Sequence, residues 1–168
     1  AIVAENTTSE LTVEVLREGK TLTFRGQKTP FRSNDALIPY YRVAKKEPHI
    51  ILGGLVFQEL TYEYLKTWGK NWINKAPSYL GIIWKLQNHK EKKQRRVIIL
   101  SQVLPDTINN GYQNIHNALI AKVNDQKIDS LDDLKAAFDK PIHKRGNRYQ
   151  VIDLRDGDGS FILSHDRI

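Results

Sequence analysis

The sequence contains no cysteine and no long hydrophobic run. Without cysteine, the chain can form no disulfide framework, no thiolate zinc site and no cysteine nucleophile. Its longest uncharged apolar stretch, 50–57, is far too short to cross a bilayer, so we expect no membrane partner. With 168 residues, 40% of them hydrophobic, the chain is predicted to be soluble and to form one globular domain, or one domain and part of a second.

Targeting signals are also missing. The chain starts at Ala1 and shows neither a basic segment followed by an apolar one nor a lipidation motif. We therefore expect a processed or excised fragment of a larger protein. These residues give no signal for the compartment in which it works.

No serine has the setting of a catalytic nucleophile, which needs a sharp glycine-flanked turn, a histidine base and an orienting carboxylate. The best flanked is Ser160, but its neighbours indicate a hairpin turn. His165 follows too closely along the same strand to be an obvious base. We expect no catalytic residue in this chain.

Metal ligands are equally poorly supported. Asp156 and Asp158 imitate the start of a calcium-binding loop. The sixth position of that loop needs glycine and the twelfth needs glutamate, whereas this chain has Phe161 and Arg167 there. The five histidines show no zinc spacing. We expect neither a metal nor another cofactor.

The chain carries a net charge of +7, and one segment, 90–96, holds five of its cations. Next to Trp84, this run could hold phosphates, in which case Lys92, Lys93, Arg95 and Arg96 would contact nucleic acid. The run also follows a predicted helix, where cations complement the dipole, and precedes a predicted buried strand. No nucleic-acid recognition motif is visible, so a solvated helix end is the favoured interpretation and nucleic-acid binding is the alternative.

An internal repeat marks the two ends of the chain. The segment 13–19 reads Val-Glu-Val-Leu-Arg-Glu-Gly, and 151–157 reads Val-Ile-Asp-Leu-Arg-Asp-Gly. Each predicts a strand, a tight turn and a second strand. The repeat predicts that 1–27 is the closing hairpin of one module and 49–168 a second, nearly whole module. The alternative is a chance likeness between two hairpins.

Between these ends, the pattern predicts a mixture of strands and helices. Residues 28–48, with three prolines, are predicted to be a linker or a covering arm. Strands are expected over 49–52, 96–103 and 118–123, and helices along 60–68, after Pro77, and from the N-cap Ser130 to Phe138. A short helical turn is expected near 106–112.

The segment Gly53-Gly54-Leu55-Val56-Phe57 combines two glycines with an apolar strand. Successive backbone N–H groups after such glycines can point into a concavity that holds a carboxylate, and the strand edge beside them can accept an added peptide strand. The alternative is a glycine turn that enters a core strand.

In this order the motifs resemble a PDZ domain, and more narrowly the C-terminal PDZ-like domain of the plant-like branch of Deg/HtrA-type serine proteases. The resemblance covers roughly 37–154. The segments that carry it are Pro39-Tyr40-Tyr41, Gly54 to Phe57, Ser101 to Leu104, Asn109 to Tyr112, Val123 to Ile128 and Ser130 to Leu134.

The resemblance implies a mixed α/β fold, a PDZ-like partially open β-barrel of about six strands with two or three helices, preceded by the closing hairpin of another PDZ-like module. It implies a noncatalytic peptide-binding or regulatory module whose parent protein is a serine endopeptidase. The resemblance allows a bacterial cell envelope or an organelle as the compartment and does not choose between them. The expected partners are a peptide or protein C-terminus, an internal segment, and neighbouring protease subunits. The implied peptide-binding residues are Gly54, Leu55, Val56, Phe57, Leu131, Leu134 and Lys135; for Leu131 and Leu134, a place in the core is an equal alternative.

Three features depart from the family pattern. Val56 stands where ordinary PDZ domains have a second glycine, so its Cβ narrows the carboxylate pocket. Asp125 replaces a turn glycine, and the segment 69–96 is a helical insertion that ordinary PDZ domains lack. A narrowed pocket favours an internal ligand, and with it a role in assembly or gating.

Overall fold

The structure is a computed structural model that describes residues 10–27, 36–40, 48–87, 95–155 and 159–168. The chain divides into two compact units, Ala1–Arg32 and Ser33–Ile168. No helix among these residues is long and apolar enough to span a membrane.

The first unit contains the predicted N-terminal hairpin. Strands β1 (Glu10–Arg17) and β2 (Lys20–Gln27) pair antiparallel along their whole length. The two turn residues, Glu18 and Gly19, have φ angles of +53° and +74°. Two positive φ angles define a type I′ turn, whose twist matches that of the flanking strands.

The second unit is a mixed α/β domain. Its strands are β3 (His49–Leu52), β4 (Leu55–Glu59), β5 (Ile98–Val103), β6 (Ala118–Val123), β7 (Gln126–Lys127), β8 (Ile142–Lys144), β9 (Asn147–Leu154) and β10 (Ser160–Ser164). Its α-helices are α1 (Tyr62–Leu65), α2 (Trp72–Lys75), α3 (Ser78–Leu86) and α4 (Leu131–Phe138). Single 3-10 turns cover Lys66–Trp68, Thr107–Asn109 and His165–Arg167.

The strands form one curled half-barrel sheet in the order β10-β9-β6-β5-β4-β3, and every neighbouring pair is antiparallel. Strand β7 pairs with β6, and β8 pairs with β9. This confirms the predicted fold class. The described ranges hold four α-helices instead of two or three because α2, which was not predicted, is a single turn of four residues and too short to give a periodic pattern.

The larger hydrophobic core lies between the sheet and α4. Alternation places Phe161 and Leu163 of β10 inside, together with Ile152 of β9. On α4, Leu134 and Phe138 face the same core, and the rings of Phe138 and Phe57 lie 5.7 Å apart. Helix α4 begins as predicted, because the Ser130 hydroxyl accepts a hydrogen bond of 3.1 Å from the Asp133 N–H.

A second core belongs to the helical insertion. Trp72 and Leu80 of the insertion pack with Ile99 and Leu119 of the sheet. Ile38, from the segment 28–48, is fully buried in the same cluster, so the described part of that segment, 36–40, packs into the domain. The insertion is therefore an integral part of the unit.

Candidate functional site

The two glycines form the turn between β3 and β4. Leu52 pairs with Leu55, so Gly53 and Gly54 are a two-residue hairpin loop with φ angles of +54° and +77°. Such a loop favours glycine at both positions. A Cβ on Gly54 would lie 2.5 Å from the carbonyl oxygen of Leu104 and closer still to the side-chain nitrogen of Asn109.

Asn109 holds this turn in place. Its side chain is fully buried, and its Nδ2 donates 2.8 Å hydrogen bonds to the carbonyl oxygens of Gly53 and Leu104. Its Oδ1 accepts from the Asp106 N–H at 3.0 Å. The Leu104 N–H in turn donates to Gly54 O at 2.7 Å. In the sequence, Asn109 was recognised only as the first residue of the Asn-x-Gly-Tyr motif, and no role was predicted for its side chain.

Asp106 and Asn109 form a capping box at the start of the 3-10 turn Thr107–Asn109, and the negative charge of Asp106 stabilises it. The Asp106 carboxylate accepts a 3.1 Å hydrogen bond from the Ile108 N–H, and this bond is the largest of the effects that lower the pKa of Asp106. The Thr107 hydroxyl and the nearby Arg167 guanidinium lower this pKa further. The carboxylate is therefore charged at neutral pH, in the form that caps the 3-10 turn.

Strand β4, which carries Leu55, Val56 and Phe57, has a neighbour on each side. Strand β5 lies on one edge and β3 on the other. The β3 register pairs 49–52 with 58–55, so β3 covers four of the five residues of β4. The backbone edge at which a peptide would be added to β4 is thus hydrogen-bonded to the preceding segment of the same chain.

Helix α4 packs against β3, β4 and β6. Leu131 and Leu134 of this helix are buried in the larger core, and Ile50 and Leu52 of β3 pack against that same cluster. Lys135 is exposed. The structure therefore groups Leu55, Phe57, Leu131 and Leu134 around a space that side chains of β3 occupy, while Lys135 lies on the solvent side.

Two cations of the basic run are engaged in ion pairs. Arg95 binds both oxygens of the Asp133 carboxylate at 2.6 Å, and Arg96 binds Glu59 at 3.2 Å. Arg96 also donates to the carbonyl oxygen of Ala36 at 3.2 Å. The rest of the run, 90–94, lies outside the described residues.

Asp133 interacts with Ser130, Asp129 and Arg95 at the start of α4. Burial raises its pKa, but hydrogen bonds from Ser130 and Arg95, and then from the Asp129 N–H, outweigh that effect, so its pKa lies below the usual value. The carboxylate joins the helix start to Arg95, which lies next to Arg96 in the segment that leads into β5.

The turn between β6 and β7 accommodates the departure at Asp125. Asn124 and Asp125 have φ angles of +49° and +63°. Both residue types tolerate the left-handed region, so the turn forms without the family glycine. The buried Asn124 side chain donates to Ala137 O at 2.9 Å and accepts from Val151 N–H at 2.8 Å, which joins the turn to α4 and β9.

The residues considered for catalysis do not form a nucleophile and base pair. The Ser160 hydroxyl donates to Asp153 at 2.6 Å, and the His165 Nδ1 lies 2.6 Å from the Gln150 side-chain nitrogen. No group of three histidine or acidic side chains within the described ranges could hold a metal ion. Residues 156–158 of the calcium-like segment fall outside those ranges.

A curled antiparallel sheet, a glycine turn that leads into β4, and one helix that closes the core beside that strand define a PDZ-type interaction domain. The chain belongs to the PDZ domain family, whose model matches residues 38–167.

Three Arabidopsis thaliana proteins are each similar to 73% of the chain. "Putative protease Do-like 3, mitochondrial" is 31% identical over 124 residues, which are 73% of this chain and 19% of that protein. The proteins numbered 12 and 11 in the same series are 30% and 29% identical, over 73% of this chain and 20% and 17% of their own lengths. The chain thus spans about one fifth of these relatives. The predicted resemblance to a PDZ region of Deg/HtrA-type proteases is confirmed.

Proposed function

We propose that this PDZ domain is a noncatalytic regulatory module of a Deg-type serine endopeptidase and that β3 is the internal ligand of its peptide groove. The observation that supports this most directly is the pairing of 49–52 with 58–55. Peptide-binding domains of this kind add an extended segment to an exposed sheet edge. On β4, a segment of the same chain already takes that place.

An external peptide would have to replace both the backbone and the side chains of β3. It would need four residues that pair with β4, and apolar groups in place of Ile50 and Leu52. Because a two-residue turn tethers β3, its effective concentration at β4 is in the millimolar range or above. Free peptides at micromolar concentration do not displace it.

Val56 fits the same proposal. It is nearly buried, with an exposed fraction of 9%, and pairs with Ile51. Its Cβ stands where the glycine of an ordinary PDZ domain leaves room for a carboxylate. A groove that its own chain fills suits a role in gating or in the assembly of protease subunits, and recognition of a substrate requires β3 to withdraw.

The proposal is tested with a fluorescein-labelled peptide that copies residues 48–52 and ends in a free carboxylate. Fluorescence anisotropy should show no saturable binding to the wild-type chain below about 100 μM. The I50A/L52A variant removes the side chains that hold β3 in place. We expect it to bind the peptide at least about tenfold more tightly, because each truncation costs β3 more than about 1 kcal/mol.

Ile51→Ala is the matched control, because the Ile51 side chain lies on the opposite face of β3 and is 50% exposed. This variant should behave like the wild type. Tight binding of the peptide by the wild type would contradict the proposal. So would an I50A/L52A chain that keeps a cooperative unfolding transition and gains no affinity.

We also propose that the first unit, within 1–27, closes a preceding PDZ-like module. Val13 pairs with Phe24 and Val15 with Leu22, so one face of this hairpin is apolar, and all four side chains are exposed. An isolated two-stranded hairpin is marginally stable, so such a face needs a partner. In a longer fragment of the parent protein, the amides of β1 should exchange with solvent much more slowly than in this chain; equal exchange would contradict the proposal.

A further inference from the structure

A second groove lies on the solvent face of β8, β9 and β10, at the opposite end of the strand order from β3. Its volume is about 730 Å³, within the range of ligand sites. The residues that line it and matter here are Ile142, Lys144, Arg145, Tyr149, Val151 and Ile162.

The floor of this groove is apolar. Ile142 pairs with Tyr149 across β8 and β9, and Val151 pairs with Ile162 across β9 and β10. A strand with one face in the core normally shows polar side chains on the other. Here Phe161 and Leu163 face the core, yet Ile162 between them is 56% exposed. The described part of the chain leaves this second apolar face without a cover.

One end of the groove is positively charged. Lys144 and Arg145 line it, and none of the described residues that line it is acidic. Among the described residues neither cation has an ion-pair partner, whereas Arg148 on the neighbouring β9 pairs with Asp166. Arg145 and Gly146 have φ angles of +51° and +80°, so a type I′ turn places the backbone from which the two cationic side chains extend.

We infer that this groove binds an extended polypeptide segment that carries acidic side chains at one end and apolar side chains along the rest. The acidic residues face Lys144 and Arg145, and the apolar ones cover Tyr149, Val151 and Ile162. The apolar floor crosses three neighbouring strands and ends at the two cations, which suits an extended chain better than a small ligand that needs to be enclosed. The site is separate from the β3 and β4 edge and does not depend on it.

The probe is a fluorescein-labelled peptide of two glutamates followed by three valine-threonine pairs, in which every second side chain is apolar. The counterpart peptide begins with two lysines instead. Anisotropy titration of the full chain should show saturable binding of the acidic peptide and none of the basic one. Amide NMR signals of Val151 and Ile162 should shift with the acidic peptide.

The double variant K144Q/R145N removes both charges and keeps the turn, because Asn-Gly is a favoured type I′ pair. We expect it to bind the acidic peptide about tenfold more weakly. The matched control K75Q/K85Q removes two exposed charges from the helical insertion and should leave the affinity unchanged. Ile162→Thr keeps a β-branched residue and should also weaken binding.

The inference is overturned if both peptides bind equally, or if K144Q/R145N binds like the control. Binding of laurate with no binding of the acidic peptide overturns it as well, because the groove would then be a site for anionic amphiphiles. The I50A/L52A variant should bind the acidic peptide like the wild type. Failure of this inference therefore leaves the proposed role of β3 untouched, and the reverse also holds.

Discussion

The side-chain amide of Asn109 donates a hydrogen bond to the backbone carbonyl of Gly53 across 56 residues of sequence. Through the same nitrogen, Asn109 also binds Leu104, and Leu104 binds Gly54. One buried side chain thus fixes the turn that sets the register of β3 on β4. The glycine turn and the 3-10 turn at Thr107–Asn109 form a single structural unit.

Removing Asn109 should loosen this unit. Asn109→Ala deletes two donors and leaves the partly buried carbonyls of Gly53 and Leu104 without them, which costs about 2 kcal/mol of unfolding free energy. Urea denaturation measures this cost. Asn110→Ala, at the exposed neighbouring position, should cost much less. Equal losses for the two variants would show that the hydrogen bonds of Asn109 do not stabilise the turn.

Gly54→Ala should be among the most destabilising single changes in the domain. The new Cβ would meet both a positive φ of +77° and the Leu104 carbonyl at 2.5 Å, so we expect a loss of about 3 kcal/mol or more. Gly146→Ala is the matched control, because its φ is +80° and nothing lies within 4 Å. It should cost about 1 kcal/mol. Thermal and urea unfolding of the two variants separate steric overlap from backbone strain.

Tyr64 should make stability fall at alkaline pH. Burial, and then the neighbouring Tyr79, raises the pKa of its hydroxyl from 10.0 to about 12. Between these values the unfolded chain loses the proton and the folded chain keeps it, so stability is lost as the pH rises from about 10 to about 12.

Tyr64→Phe tests this dependence. The phenol donates a 2.5 Å hydrogen bond to the Asn117 side chain, so near pH 7 the variant should be about 1 kcal/mol less stable than the wild type. That deficit should shrink above about pH 10. A deficit that stays constant from about pH 8 to about pH 11 in urea denaturation would contradict the assigned pKa.

Asp133 should contribute at the acidic end. Its pKa in the folded chain lies below 3.8, the value expected when the chain is unfolded. Its contribution is therefore fully present above about pH 5 and is lost as the pH falls through 3.8 to the lower folded-state value. Because the carboxylate is partly exposed, we expect Asp133→Asn to cost only about 0.5–1 kcal/mol at pH 7.

The same variant should lose this disadvantage once the pH falls below the folded-state pKa of Asp133, because both chains then carry a neutral side chain at this position. Asp132→Asn is the control, because Asp132 is exposed in the same first turn of α4 and has no ion pair among the described residues. Denaturation at several pH values measures both. A pH-independent difference between Asp133→Asn and the wild type would rule out the linkage.

Local patterns predicted most of the secondary structure. Strand β6 was predicted over 118–123 and is found there, and α4 starts after its N-cap Ser130. These elements depend on alternation, helical spacing and capping within a few residues. Strand β8 and helix α2 were not predicted, because three or four residues are too few to carry a period.

The sequence by itself determined the glycine turn and the set of apolar residues near it, because these depend on contacts between near neighbours. It also indicated the fold class, through the resemblance of its ordered motifs to a PDZ domain. Only the tertiary structure decided that β3 takes the edge of β4, that Asn109 holds the turn, and that Leu131 and Leu134 lie in the core beside Ile50. The contacts of Asn109 and of Leu131 and Leu134 join groups far apart in the chain, and the place of β3 follows from how the sheet curls around α4. A pattern of residues shows which side chains prefer burial, but only the packed chain shows which neighbours they meet.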